Sequence, residues 1–124
     1  MFDHVSIGVA DVRRARLFYD AVMKPLGYRC LSEGDGSLGY GAQAVCLWVN
    51  EARKPVTADA ESGLHFCFSA PTRKAVDAFH AAGVGAGGTS NGAPGVRSDY
   101  GDDYYAAYLI DPDGYRIEAY HAGQ

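Results

Sequence analysis

His4-Val5-Ser6-Ile7-Gly8-Val9 and His65-Phe66-Cys67-Phe68-Ser69 read as two versions of one segment. Each starts with a histidine, alternates in polarity as a half-buried strand does, and leads into a helical pattern. Phe18-Tyr19 and Phe79-His80 then follow at the same offsets, 14 and 15 residues beyond their histidines. A repeat inside 124 residues implies one domain, spanning 1–124, with internal modules at about 1–50 and 63–121. The repeat also makes a pair of two lone histidines. If approximate two-fold symmetry relates the halves, His4 and His65 converge, and Glu118 on the last strand can complete a site for a divalent metal.

Working outward from the first segment, Asp11 is placed to cap a helix whose apolar stripe is Val12, Ala15, Phe18, Tyr19 and Val22. Pro25 and Gly27 end it, and Arg13, Arg14 and Arg16 fall largely off the stripe, on its wet face. Strands are expected near 28–33, 38–41 and 44–49, with a glycine-rich turn at 34–36. The stretch 50–62 is polar and alanine-rich and reads as a connecting loop. The second module opens with a strand at 64–69, enters a helix near Pro71, and carries Ala75, Val76, Phe79 and Ala82 on one face until Gly83. A short strand is expected around 84–88, then a turn-rich rim segment at 87–95, then strands near 104–110 and 115–120. Asp111-Pro112-Asp113-Gly114 joins the last two as a tight turn. The order strand, helix, three strands, stated twice, leaves each module's sheet with one uncovered face.

Strand parity assigns the faces. His4, Ser6 and Gly8 oppose Val5, Ile7 and Val9; His65, Cys67 and Ser69 oppose Leu64, Phe66 and Phe68; Arg116, Glu118 and Tyr120 oppose Tyr115, Ile117 and Ala119. The bulky rows belong under the helices, so the histidines point the other way with small neighbours beside them, while Glu118 shares its face with Arg116 and Tyr120. A carboxylate between apolar residues is costly to bury unless paired, hydrogen-bonded or metal-bound. His4, His65 and Glu118 are therefore the candidate metal ligands, a mixed nitrogen and oxygen set suited to iron, manganese, nickel or zinc with coordination positions left open. The blander readings are hydrogen-bonded structural histidines and a Glu118 paired with a basic side chain, Arg116 being the nearest.

Composition narrows the function classes. With 48% hydrophobic and 21% charged residues and a formal charge of −4, the chain has no basic footprint for nucleic acid or an anionic membrane. No basic leader segment and no membrane-length apolar run is present, so a cytoplasmic address is expected. Cys30, Cys46 and Cys67 form no close pair and read as buried thiols of a reducing compartment.

The elements Asp3-His4-Val-Ser-Ile-Gly-Val, Phe18-Tyr19-Asp20, Gly63-Leu-His65-Phe and Asp111-Pro-Asp-Gly114-Tyr-Arg-Ile-Glu118 resemble the vicinal oxygen chelate superfamily, which groups glyoxalases, bleomycin-resistance proteins and extradiol dioxygenases. The resemblance implies an α+β fold of two βαβββ modules forming a cupped, incompletely closed mixed β-sheet barrel. It also implies metal positions at His4, His65 and Glu118, and a homodimer whose sites form within one chain or across two. Glyoxalase I usually adds a further acid or glutamine from the last strand of its first module. Here Cys46 falls at the likeliest matching place, which disfavours lactoylglutathione lyase.

Around this platform, Tyr120, Tyr108 and Arg116 are the candidates to orient a substrate, and Trp48, Cys46, Cys67 and Tyr104 the candidates to line its pocket. The expected function is a metal-dependent lyase, isomerase or dioxygenase that chelates a small oxygenated organic molecule through two oxygens. The alternative is a non-catalytic protein that binds or sequesters a small molecule, as bleomycin-resistance proteins do.

Overall fold

The computed structural model describes residues 1–124. The first module runs β1 (Val5–Val9), α1 (Val12–Met23), a single 3-10 turn at Lys24–Leu26, β2 (Arg29–Glu33), β3 (Ser37–Gly41) and β4 (Leu47–Glu51). The second runs β5 (His65–Ser69), α2 (Arg73–Gly85), β6 (Thr89–Val96), β7 (Tyr104–Ile110) and β8 (Arg116–Ala122). The architecture is α+β, two βαβββ modules with mixed, unclosed sheets. Strand order is β1-β4-β3-β2 in one sheet and β5-β8-β7-β6 in the other. In each, the first strand lies parallel to the last and the remaining neighbours are antiparallel.

Local chemistry accounts for the helices. Asp11 accepts from the backbone N–H groups of Arg13 and Arg14, capping α1, and Gly27 closes the following turn at φ 86°, where a side chain would be strained. Thr72 caps α2 by accepting from the Ala75 N–H, so Pro71 precedes the helix. Val12, Ala15, Phe18, Tyr19 and Val22 are all buried, as their spacing predicts.

The structure corrects the reading beyond Gly83. The helix continues to Gly85, no strand forms at 84–88, and the turn-rich stretch becomes β6. Gly83 is a packing residue: a Cβ there would stand 2.3 Å from Leu109 Cδ1 and 3.1 Å from Val22 Cγ1. Its absence lets α2 press onto β7 and α1, and that contact outweighs glycine's low helix propensity of about 1 kcal/mol. Residues 89–96 pair with β7 despite two glycines and a proline, through irregular register on either side of Gly92.

The helices pack on each other, α1 also covering β2, β3 and β4, and α2 covering β6, β7 and β8. One core therefore serves both modules, with Phe18, Val22, Phe79, Leu109 and Ile117 at its centre. Each such side chain contributes about 1.5–3 kcal/mol through burial. The junction is also polar. Tyr19 of α1 donates to Asp111 Oδ2 at 2.5 Å, Tyr115 donates to the Gly8 carbonyl at 2.7 Å, and Asp113 accepts from the Ala10 N–H and from Arg14. Thus the 111–114 turn docks the second module onto the β1–α1 corner of the first.

The faces away from the helices are left open. His4, Ser6, His65, Cys67 and Ser69 are exposed, and β1 and β5 each end a sheet with one free backbone edge. This corrects the expectation of buried cysteines. Cys46 and Cys67 are exposed and Cys30 is half-buried, all as free thiols, because 46 and 67 share the parity of the uncovered faces.

Candidate functional site

β5 and β8 bring the first two candidates together. Parallel pairing sets His65 opposite Arg116 and Cys67 opposite Glu118, so the histidine and the acid are diagonal neighbours on one face. His65 Nε2 donates to Glu118 Oε1 at 2.7 Å, and the Tyr104 hydroxyl donates to Oε2 at 2.6 Å. Glu118 is only 4% exposed, and these two bonds offset the desolvation of its carboxylate. Arg116 does not pair with it; the guanidinium donates to the Gly114 carbonyl instead.

Tyrosines surround this pair. Tyr104 stacks on Tyr120 with centroids 4.0 Å apart, Tyr100 tilts against Tyr104 at 5.2 Å, and Tyr108 lies 6.0 Å from the His65 ring. His65, Tyr100, Tyr104, Tyr108 and Glu118 line one concavity of about 360 Å³. Desolvation first, and after it the hydrogen bond to Glu118 for Tyr104 and the Glu118 charge for Tyr108, raise the two phenol pKa values. Both remain hydrogen-bond donors at neutral pH. Although Cys67 is exposed as a residue, its thiol sits beside Glu118 and Tyr104. Desolvation there, followed by the carboxylate's charge, pushes it up to about 12.

A second, larger and more apolar groove of about 600 Å³ runs between the modules. Val5, Tyr40 and Leu47 lie on one wall and Phe66 and Phe68 on the other, with Cys46 and Cys67 at its edge. His65 borders both cavities.

The remaining candidates divide. His4 stands apart from His65 and Glu118: its side chain is half exposed and Nδ1 bonds Asp3 at 2.7 Å. Within one chain, no three His, Cys, Asp or Glu side chains are arranged so that they could hold a metal ion. The reason is topological, since β1 and β5 belong to different sheets that share no hydrogen bonds. Trp48, Arg116 and Tyr120 line neither cavity, Tyr120 reaching the site only by stacking on Tyr104. His80 bonds Ser90 and His121 bonds the Ala70 carbonyl, so neither reaches the site.

The equivalence of Cys46 with Glu118 is also corrected. Ser6 pairs with Trp48 in the first module, as Cys67 pairs with Glu118 in the second. With His4 matched to His65, Trp48 answers to Glu118, and Cys46, next to the start of β4, answers to Arg116. Counting from a presumed strand start cannot find this, because β4 begins at Leu47 rather than Ala44.

A family model described as the Glyoxalase/Bleomycin resistance protein/Dioxygenase superfamily matches residues 1–119. The chain belongs to that superfamily. Among solved structures similar to this superfamily member is a glyoxalase/bleomycin resistance protein from Albidiferax ferrireducens, 35% identical, with 99% of each chain covered and a TM-score of 0.84. The fold is shared with a glyoxalase/bleomycin resistance protein/dioxygenase family enzyme from Burkholderia phytofirmans, 20% identical over 98% of each chain, TM-score 0.71. It is shared too with the fosfomycin resistance protein FosX of Mesorhizobium loti, 14% identical over 100% of this chain and 92% of that one, TM-score 0.68. Among curated proteins, none matches this chain's sequence.

Proposed function

We propose that this superfamily member is a divalent-metal-dependent lyase, isomerase or dioxygenase acting on a small oxygenated organic molecule, with its metal site completed in a homodimer. His65 and Glu118 of one chain would supply two ligands, and His4 of a second copy the third. The observation that carries this reading is the His65–Glu118 pair: a buried carboxylate with no lysine or arginine partner, held 2.7 Å from an imidazole at the mouth of an open concavity. The donor chemistry fits iron, manganese, nickel or zinc, but one chain offers no third ligand beside it. His4 stands immediately before β1, matched to His65 by the repeat, exposed and bonded only to its neighbour Asp3. A second copy that lays its first sheet over the open face of the second would supply it and cover both faces.

When bound, such an ion would polarise vicinal substrate oxygens or, as redox-active iron, support dioxygenation. The chain's own residues do the positioning. Tyr104 holds Glu118 Oε2, which leaves the acid a single orientation; Tyr108 lines the concavity as a protonated phenol, and Tyr120 backs Tyr104 by stacking on it.

The test is complementation between copies. Metal content is measured on the wild type, on His4→Ala and Glu118→Ala homodimers, and on a co-expressed equal mixture of the two variants. Each homodimer should hold none. Random pairing puts about half the dimers in the mixed form, each with one intact site of two, so the mixture should recover about a quarter of the wild-type content. Full occupancy in His4→Ala, or no recovery in the mixture, overturns the proposal. The apolar groove favours a second reading, binding of an apolar small molecule without metal; tight binding to metal-free protein would support it.

A further inference from the structure

Arg97 lies one residue beyond β6, half-buried, and takes part in none of the molecule's ion pairs. Its guanidinium carbon sits 5.1 Å from the centre of the Tyr108 ring, and Nη2 donates to the Ala93 carbonyl. The surrounding backbone is shaped to it. A Cβ on Gly92 would stand 3.3 Å from Nη2, and one on Gly95 would stand 3.1 Å from Nη1. Between these glycines β6 has one residue more than β7, because Gly92 pairs with Tyr108 and Gly95 with Ala106. The bulge curls the Ala93-Pro94 stretch toward the arginine, and Pro94 has no N–H to lose from the ladder.

A guanidinium gathered in this way, with only one of its five N–H donors committed within the chain, is a charge held ready for a ligand. Tyr108 links it to the site described above. The Tyr108 ring is 6.0 Å from that of His65, so the guanidinium carbon is at most about 11 Å from the imidazole centre. Tyr100, Tyr104 and Tyr108 form the wall of that space, which suits a flat ring.

We propose that Arg97 is an anion-binding, specificity-determining residue, and that the substrate is a planar aromatic carboxylate. Its chelating oxygens would face His65 and Glu118, and its carboxylate would meet Arg97 at the opposite end. The planar N–H fork matches a carboxylate's two oxygens. The substrate class rests on the proposed metal reading; the anion subsite does not.

The probes are benzohydroxamate, a bidentate oxygen chelator, and 4-carboxybenzohydroxamate, which adds a carboxylate across the ring. Affinities are measured by calorimetry on the full-length protein, with and without zinc, for the wild type, Arg97→Gln and Arg97→Lys. The carboxylated probe should bind the wild type about tenfold more tightly than its parent. Arg97→Gln should abolish that ratio while leaving the parent's affinity in place, and Arg97→Lys should restore part of it. Equal affinity of the two probes for the wild type, or a ratio that survives Arg97→Gln, overturns the proposal. An equal loss for both probes in Arg97→Gln also overturns it, since the arginine would then only shape the bulge. Failure of the metal reading has a different signature: zinc leaves both affinities unchanged while the ratio and its dependence on Arg97 persist.

Discussion

Replacing Tyr19 with phenylalanine removes one hydroxyl from the junction between the modules and leaves the buried ring in place. Tyr19 and Asp111 are 1% and 4% exposed, so water cannot substitute for the lost donor. Asp111 Oδ1 already accepts from the Asp113 and Tyr115 N–H groups, and Oδ2 depends on Tyr19. A hydrogen bond to a buried charged group contributes about 1.5–3 kcal/mol, so Tyr19→Phe should destabilise by about 2 kcal/mol at pH 7. For a chain of this size that lowers Tm by roughly 8 °C. Acidity supplies the diagnostic. Burial raises the Asp111 pKa above its ordinary 3.8, while the Tyr19 bond and the two backbone bonds oppose that rise. The group's own contribution to stability is thus present at low pH and is lost as pH rises through its folded value. The Tyr19 bond favours the ionised form, so its removal is most costly at neutral pH. As pH falls through the folded Asp111 pKa, the difference between wild type and variant should shrink to about 1 kcal/mol or less. Urea unfolding at pH 7 and pH 4 measures both values. A difference below about 0.5 kcal/mol at pH 7, or one that does not change with pH, refutes the account of a charged bond at the junction.

Tyr104→Phe leaves Glu118 Oε2 without its donor; on the proposed metal reading, affinity for zinc should fall about tenfold to a hundredfold, read by chelator competition. Gly83→Ala should destabilise by about 1–3 kcal/mol in urea despite alanine's better helix propensity, because the added methyl meets Leu109; a gain in stability would contradict the packing account. The phenols of Tyr19, Tyr40 and Tyr104 are all raised, mainly by desolvation. Their protonated forms favour the folded state, so this contribution is intact below pH 10 and lost as alkali ionises them. Absorbance titration at alkaline pH should show a late tyrosine fraction that ionises together with unfolding.

Much of the fold was legible because its signals are local. The Asp11 cap, the stripe from Val12 to Val22, the parity of 64–69 and 115–120 and the 111–114 turn each depend on residues a few positions apart. Parity also named His65 and Glu118 as residues of one face, and they meet there. Arg97 belongs to no linear motif. A bulge that brings residue 93 to residue 97 and a tyrosine from the neighbouring strand beneath it are not linear patterns. Cys67 was read as buried because thiols usually are; here the strand's face decides, and that face is uncovered.

The sequence by itself determined a duplicated βαβββ chain, most residues of its core and the two histidines and one acid worth following, since periodicity, caps and turns act within a few residues of chain. Tertiary structure alone decided which of those residues meet. The register of β1 with β4 made Trp48, not Cys46, the counterpart of Glu118. Docking of the 111–114 turn on the β1–α1 corner joined the modules through their helix-covered sides, leaving His4 and His65 on separate sheets with open faces. The physical reason is that the apolar helical sides satisfy each other within one chain, which leaves the faces that carry the histidines, one of them lined by tyrosines, uncovered.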